Sequence, residues 1–257
     1  MKVRMYNVGF GDCFCLRDRK KSLLVDFGTN NSRIEGRPRR EIFDVIISDL
    51  STIKSKNLLL THFHMDHLSG LLYMMKKKDI SVDFGKIYLP DVFSKKEMSR
   101  TLVLLLLADL LKESGLPSRQ VSLFALVDAL LENKQNVELL SRGKLFENKY
   151  QALWPDTDVI RKETDEVYNR ICEDGKFKEV MDVLLEFAEK LRLIVWSMTA
   201  EGNKPAETVE KETDLTASEL TEQPEVRQKI IRAYVYEREF RRIKALPDFK
   251  KPTRIDP

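Results

Sequence analysis

All three histidines of this 257-residue chain fall inside one seven-residue string, Thr61-His62-Phe63-His64-Met65-Asp66-His67. The string follows directly on Asn57-Leu58-Leu59-Leu60, a short apolar run that reads as a strand in a sheet covered on both faces. Strand ends deliver their loops to the carboxyl edge of an α/β sheet, where such folds place their sites. Alternation in an extended loop turns His62 and His64 to the same side. Two imidazoles on one side can share a metal ion at ~2.0–2.1 Å per zinc–nitrogen bond. Asp66 and His67 follow where the loop turns into a helix, and they can face a second ion ~3.5–4 Å from the first. The donor types suit zinc, with manganese or iron as the alternatives.

The surrounding pattern is layered. Short β-rich runs over 2–8, 13–17 and 22–27 are separated by Gly9 and Gly11 and by a charged turn over 18–21. The Gly-x-Gly-Asp step reads as a hairpin that needs positive φ. Apolar spacing predicts a helix over 41–54, a strand over 57–61, a helix over 68–78 and a strand over 86–89 stopped by Pro90. Strand alternating with helix predicts an α/β fold. Helices are expected over 94–113 and 123–133, and strands over 136–140 and 145–154 that rejoin the sheet. Beyond Pro155 the character changes. Residues 163–198 read as helical, 199–225 as a flexible Glu/Thr-rich connector and 226–246 as a basic amphipathic helix.

Composition closes off several classes. Hydrophobic residues at 42% allow a real core, and 33% charged residues suit long solvated helices, which excludes collagen-like, mucin-like and wholly disordered chains. Lys plus Arg is 44 against 41 for Asp plus Glu, so the net charge of +3 carries no general polyanion signature. Three cysteines are too few for a disulfide framework and point to a reducing, cytoplasmic compartment. No apolar run approaches ~18 residues, so no membrane partner is expected.

The His-x-His-x-Asp-His string is similar to the signature of the metallo-β-lactamase fold superfamily. Tyr6-Asn7-Val8-Gly9-Phe10-Gly11-Asp12-Cys13 resembles the Asp-Val-Gly-Gln-Gly-Asp opening of its ComEC-like branch. Ser22-Leu23-Leu24-Val25-Asp26-Phe27-Gly28 resembles the next characteristic stretch, and Ile87–Pro90 and 152–155 fit later strands. The resemblance covers 1–155. It implies an αββα sandwich with the metals at the joined edges of two sheets. It also implies His62 and His64 on a first zinc, Asp66 and His67 on a second, and Asp26 behind a histidine to orient it. A metal-bound hydroxide would be the nucleophile, with Asp66 orienting it as the catalytic residue. The implied function is a metal-dependent hydrolase, or the metal-binding half of one, acting on phosphodiester or nucleic-acid substrates. The alternatives are an ester, thioester or amide hydrolase and a non-catalytic interaction protein of the same fold. Lys76-Lys77-Lys78 reads as a solvated helix end that could also face phosphate. Asp12 reads as a turn residue, and Cys13, Cys15 and Cys172 as inert thiols.

The chain also departs from that pattern. It has no fourth histidine, and Gly-Asp occurs only at Gly11-Asp12. After Pro155 the sequence offers helices and no second set of strands. The expectation is therefore an incomplete sandwich over 1–155 with an added helical region over 156–257. A missing C-terminal half, a protein partner, or carboxylates such as Asp91 and Asp156 would complete the site. Alone, such a chain should hydrolyse substrates poorly or not at all.

Overall fold

The computed structural model describes residues 1–18, 21–77, 83–113, 123–133, 135–173 and 175–200. Apart from Thr199 and Ala200, the expected connector over 199–225 lies outside the described residues, as does the expected helix over 226–246. The chain divides into two compact units, Met1–Pro90 with Gln120–Leu140, and Asp91–Arg119 with Ser141–Pro257.

The first unit opens with strands β1 (Lys2–Met5), β2 (Phe14–Asp18) and β3 (Lys21–Val25). A small ribbon, β4 (Arg33–Ile34) and β5 (Arg37–Pro38), leads into helix α1 (Arg39–Ser51). Then follow β6 (Ser55–Leu59), α2 (Met65–Lys76) and β7 (Ile87–Pro90). The chain leaves for α3 (Ser99–Glu113) of the second unit and returns as α4 (Leu123–Glu132) and β8 (Val137–Leu140). The six-stranded sheet has the order β1-β2-β3-β6-β7-β8. Its first three strands are antiparallel, and β3, β6, β7 and β8 run parallel. This central sheet with its helices is the α/β architecture expected from the alternating pattern, and it is consistent with a metallo-β-lactamase-like fold.

One row of side chains crosses the sheet in register: Cys15, Leu24, Leu58, Ile87 and Val137. Each is no more than 1% exposed. Burial pushes the Cys13 thiol well above its ordinary pKa, which suits an inert core thiol. Arg4, opposite Cys15, and Arg17 reach Asp49 of α1 at 2.7 and 2.9 Å, so α1 covers this face. Phe43 of α1 meets Phe27 edge-on at 5.2 Å and Tyr73 of α2 at 5.6 Å. The Tyr73 hydroxyl and the Lys77 ammonium both donate to Asp44 of α1. Lys77 is thereby engaged within the unit, Lys76 closes the last turn of α2, and Lys78 lies outside the described residues.

The second unit holds a 3-10 turn over Lys96–Met98, then α3, strands β9 (Leu145–Phe146) and β10 (Tyr150–Gln151), and helices α5 (Thr157–Glu173) and α6 (Gly175–Ser197). The segment 145–154 does not rejoin the six-stranded sheet as expected. Glu147 and Asn148 take φ of +52 and +58, which reverses the chain at once, so β9 pairs with β10 instead. Helices α3, α5 and α6 pack on one another, and Leu102, Leu106, Tyr168, Leu184, Phe187 and Leu191 along them are buried. Arg100 binds Asp165 at 2.8 Å and lies over the Tyr168 ring. No helix among the described residues is long and apolar enough to cross a membrane.

Candidate metal centre

Strands β3 and β6 are parallel neighbours whose ends are level, Val25 beside Leu59. The Asp26 N–H continues the ladder to the Leu59 carbonyl at 2.8 Å. Past that point three loops interlock at the carboxyl edge. The Phe27 N–H donates to the His67 carbonyl at 2.7 Å, the Asp12 N–H to the Asp66 carbonyl at 3.2 Å, and the Gly28 N–H to the Asp12 carbonyl at 3.2 Å. Two glycines permit this. A Cβ on Gly28 would sit 2.6 Å from the Leu68 nitrogen and 2.7 Å from the carbonyl carbons of Asp66 and His67. A Cβ on Gly11 would sit 2.2 Å from the Gly28 oxygen. Of the Gly-x-Gly pair, Gly9 takes the expected positive φ of +69, whereas Gly11 is required by close backbone approach.

His64, in an extended conformation, is the residue before the first turn of α2, and Asp66 lies within that turn, where the helix dipole favours a carboxylate. The ligand atoms of His62, Asp66 and His67 all lie within 4.8 Å of one another. The rings of His62 and His67 are 3.7 Å apart between centroids. His64 stands beside His62, with centroids 4.8 Å apart, and is not a member of that three-residue group.

The His67 ring divides two environments. Its Nε2 faces Asp66 Oδ2 at 3.6 Å, and its Nδ1 faces Asp26 Oδ2 at 3.0 Å and Asp12 Oδ2 at 3.6 Å. Asp12, Asp26 and His67 form a second close group on that side. There, however, the Asp26 carboxylate is already taken. It accepts the Thr61 N–H and the Thr61 hydroxyl, both at 2.8 Å, as well as the His67 Nδ1–H. Asp26 is 2% exposed and sits at φ +55, a conformation that costs a non-glycine residue about 1–2 kcal/mol. These charge-assisted hydrogen bonds offset that cost. Asp26 therefore backs the ring, and the side bearing His62, Asp66 and the His67 Nε2 is the one where donors are free to meet an ion. Two nitrogens and one oxygen match the three protein ligands of a catalytic zinc-type site.

Asp12 is the residue that sequence reasoning set aside as a turn former. Its only signal was the Gly11-Asp12 step, and its backbone is tied to the Asp66 carbonyl and the Gly28 N–H. Asp91 and Asp156 are placed differently. Asp91 accepts the Ser94 N–H at 3.0 Å and the Ser94 hydroxyl at 2.7 Å. Asp156 pairs with Arg142 at 2.8 Å and accepts the N–H groups of Asp158 and Val159 at the start of α5. The Arg142 guanidinium and those N–H groups hold its carboxyl below the usual range. Among the described residues, neither belongs to a group of metal-ligating side chains.

The two ring environments separate the histidines electrostatically. Burial, then the neighbouring His67 and His64 rings, lowers the pKa of His62. Burial pulls His67 the same way, but the Asp26 hydrogen bond and the charges of Asp26, Asp66 and Asp12 outweigh it and raise that pKa. In metal-free protein, an NMR titration should find His67 titrating above, and His62 below, the ordinary value of ~6.5. The stability contributed by protonated His67 is then complete below ~6.5 and lost as pH rises through its raised value. For His62 the sign reverses, because protonation opposes folding as pH falls below ~6.5. The reverse order of titration would contradict this description.

Residues 6–91 match the family model of the metallo-beta-lactamase superfamily. The chain is also similar to the endoribonuclease YSH1 of Mycosarcoma maydis, 32% identical over 77 residues. That match spans 30% of this chain and 8% of the relative. No solved structure matches the chain. The histidine string, Asp12, Asp26 and the glycines that lock the loops all fall within the segment that matches the metallo-beta-lactamase superfamily model.

Proposed function

We propose that this chain carries the metal site of a hydrolase acting on phosphodiesters, with nucleic acid as the first substrate class. The observation that carries the reading is the convergence of His62, Asp66 and His67 at the carboxyl edge of β3 and β6. In this reading those three side chains hold a zinc ion, His64 beside them is a further ligand, and manganese is the alternative metal. A divalent ion bound there supplies Lewis acidity and lowers the pKa of a coordinated water toward ~7. Asp26 holds the His67 ring in place, and Asp66 both ligates and orients the attacking water. The substrate class rests on the relative's printed name, an endoribonuclease, and on the ComEC-like look of residues 6–13.

His62, Asp66 and His67 give three protein ligands, enough for one ion with an open position. A two-ion site needs more, which keeps the reading of 1–155 as one half of a sandwich and 156–257 as an added helical region. The chain alone should therefore turn over slowly. The test offers bis(p-nitrophenyl) phosphate, single-stranded RNA and a simple thioester to purified chain with added zinc. The expected result is slow, zinc-dependent cleavage of the phosphodiesters that Asp66→Ala abolishes. A preference for the thioester, or a rate indifferent to Asp66→Ala, would overturn the proposal.

A further inference from the structure

Thr61 stands between the buried aspartate and the first histidine of the string. Its hydroxyl oxygen is 2.8 Å from Asp26 Oδ2 and 3.0 Å from His62 Nδ1. A threonine hydroxyl has one proton to give and two lone pairs to receive. The Asp26 carboxylate can only accept, so the Thr61 proton points at Asp26. The same oxygen must then accept from His62, which requires the His62 proton to be on Nδ1. His67 is bound in the same sense, because its Nδ1 lies 3.0 Å from the same Asp26 oxygen. Both rings are left with a bare Nε2. For His67 that nitrogen is the one facing Asp66.

We propose that Thr61 is a positioning residue, a relay through which the single Asp26 carboxylate sets the tautomer and orientation of His62 as it does directly for His67, so that both rings offer Nε2 to one ion. The inference rests on the metal reading above for its purpose but not for its hydrogen-bond logic. Two features separate it from ordinary packing. The Thr61 side chain is exposed, so it fills no core space. Its backbone N–H binds Asp26 Oδ1 independently at 2.8 Å, so losing the hydroxyl leaves the loop anchored. The tautomer that a ligating imidazole presents is set by the bond its other nitrogen makes. Without the hydroxyl, His62 loses its protein acceptor at Nδ1 and should revert toward the Nε2–H form that neutral histidine favours in water. That form blocks the nitrogen the ion needs.

The test compares the wild-type chain with Thr61→Val and Thr61→Ser. Long-range proton–nitrogen NMR on metal-free protein, at an alkaline pH where both rings are neutral, reads each tautomer. Chelator competition with zinc reads affinity. In wild type, both His62 and His67 should carry the proton on Nδ1. In Thr61→Val, His62 should shift to Nε2–H while His67 stays unchanged, which also reports that the fold is intact. Zinc should bind about 10–100-fold more weakly in that variant, the usual cost of losing an outer hydrogen-bond partner. Thr61→Ser, which keeps the hydroxyl, should restore both readings. A wild-type His62 protonated on Nε2, or a Thr61→Val chain with unchanged tautomer and affinity, would overturn the relay. Correct tautomers in a wild-type chain that takes up no zinc would support the relay and overturn the metal reading instead.

Discussion

His67→Ala is expected to lower zinc affinity by more than about 100-fold, because removing a direct ligand should exceed the roughly 10–100-fold cost of losing an outer partner. The residue serves both sides of the site. Its Nε2 faces Asp66, and its Nδ1 is held by the buried Asp26. Asp26→Ala should fall inside the roughly 10–100-fold range, since it removes the orienting carboxylate and leaves the ligand. Chelator competition with zinc measures both. A loss below about tenfold for His67→Ala would place the ion elsewhere. The expected order is also informative, because an Asp26→Ala effect larger than that of His67→Ala would make Asp26 itself a ligand.

Gly28→Ala should be strongly damaging, as should Gly11→Ala, whose Cβ would sit 2.2 Å from the Gly28 oxygen. Overpacking a well-filled site costs typically about 1–3 kcal/mol, and more where little can move aside. At Gly28 the new Cβ would meet backbone atoms of Asp66, His67 and Leu68 at 2.6–2.7 Å, and these atoms belong to the start of α2. Relief requires the loop over 26–29 to part from that helix, breaking the bond from the Phe27 N–H to the His67 carbonyl. The expected outcome is a loss of about 3 kcal/mol or more by urea denaturation, together with weakened zinc binding. A variant with stability lowered by less than about 1 kcal/mol and unchanged zinc affinity would show that the interlocked loops are not what aims the histidines. Gly70 offers a milder comparison, since a Cβ there would press on the Phe27 ring at 2.6 Å, and a side chain can shift more readily than backbone.

Much of the first unit could be read from its pattern. The apolar centre Leu58-Leu59-Leu60 announces a buried strand, and Leu58 is fully buried in the middle of the sheet. The apolar spacing over 41–54 predicts α1, which spans Arg39–Ser51. These features are legible because burial on a strand or a helix face imposes a period on the sequence. The helical reading over 163–198 likewise corresponds to α5 and α6. The segment 145–154 misled because alternation cannot say which strand is the neighbour. Two left-handed residues, Glu147 and Asn148, decided that locally.

The site was legible as a string of ligand types and less so as an arrangement. Nothing in the spacing of His62, His64, Asp66 and His67 reveals that His62 and His67 have the closer pair of ring centroids, 3.7 Å against 4.8 Å for His62 and His64. That depends on where α2 begins. With the helix starting at Met65, His67 falls in its first turn and swings back over the loop. Asp12 and Thr61 were passed over for a related reason. Each meets a partner distant in sequence, Asp12 near His67 and Thr61 on Asp26. Glycines at 11 and 28 let the loops bearing Asp12 and Asp66 approach closely, whereas Thr61 meets Asp26 because β3 and β6 end side by side.

In the proposed site one divalent ion sits among His62, Asp66 and His67, on the side of the His67 ring away from Asp26. The most direct measurement is a crystal structure of zinc-loaded protein with anomalous scattering recorded at the zinc edge. The expected result is one strong peak about 2.0–2.2 Å from His62 Nε2, an Asp66 carboxylate oxygen and His67 Nε2. A peak bonded instead to Asp12, Asp26 and His67 Nδ1, or no peak near the histidine string, would contradict it.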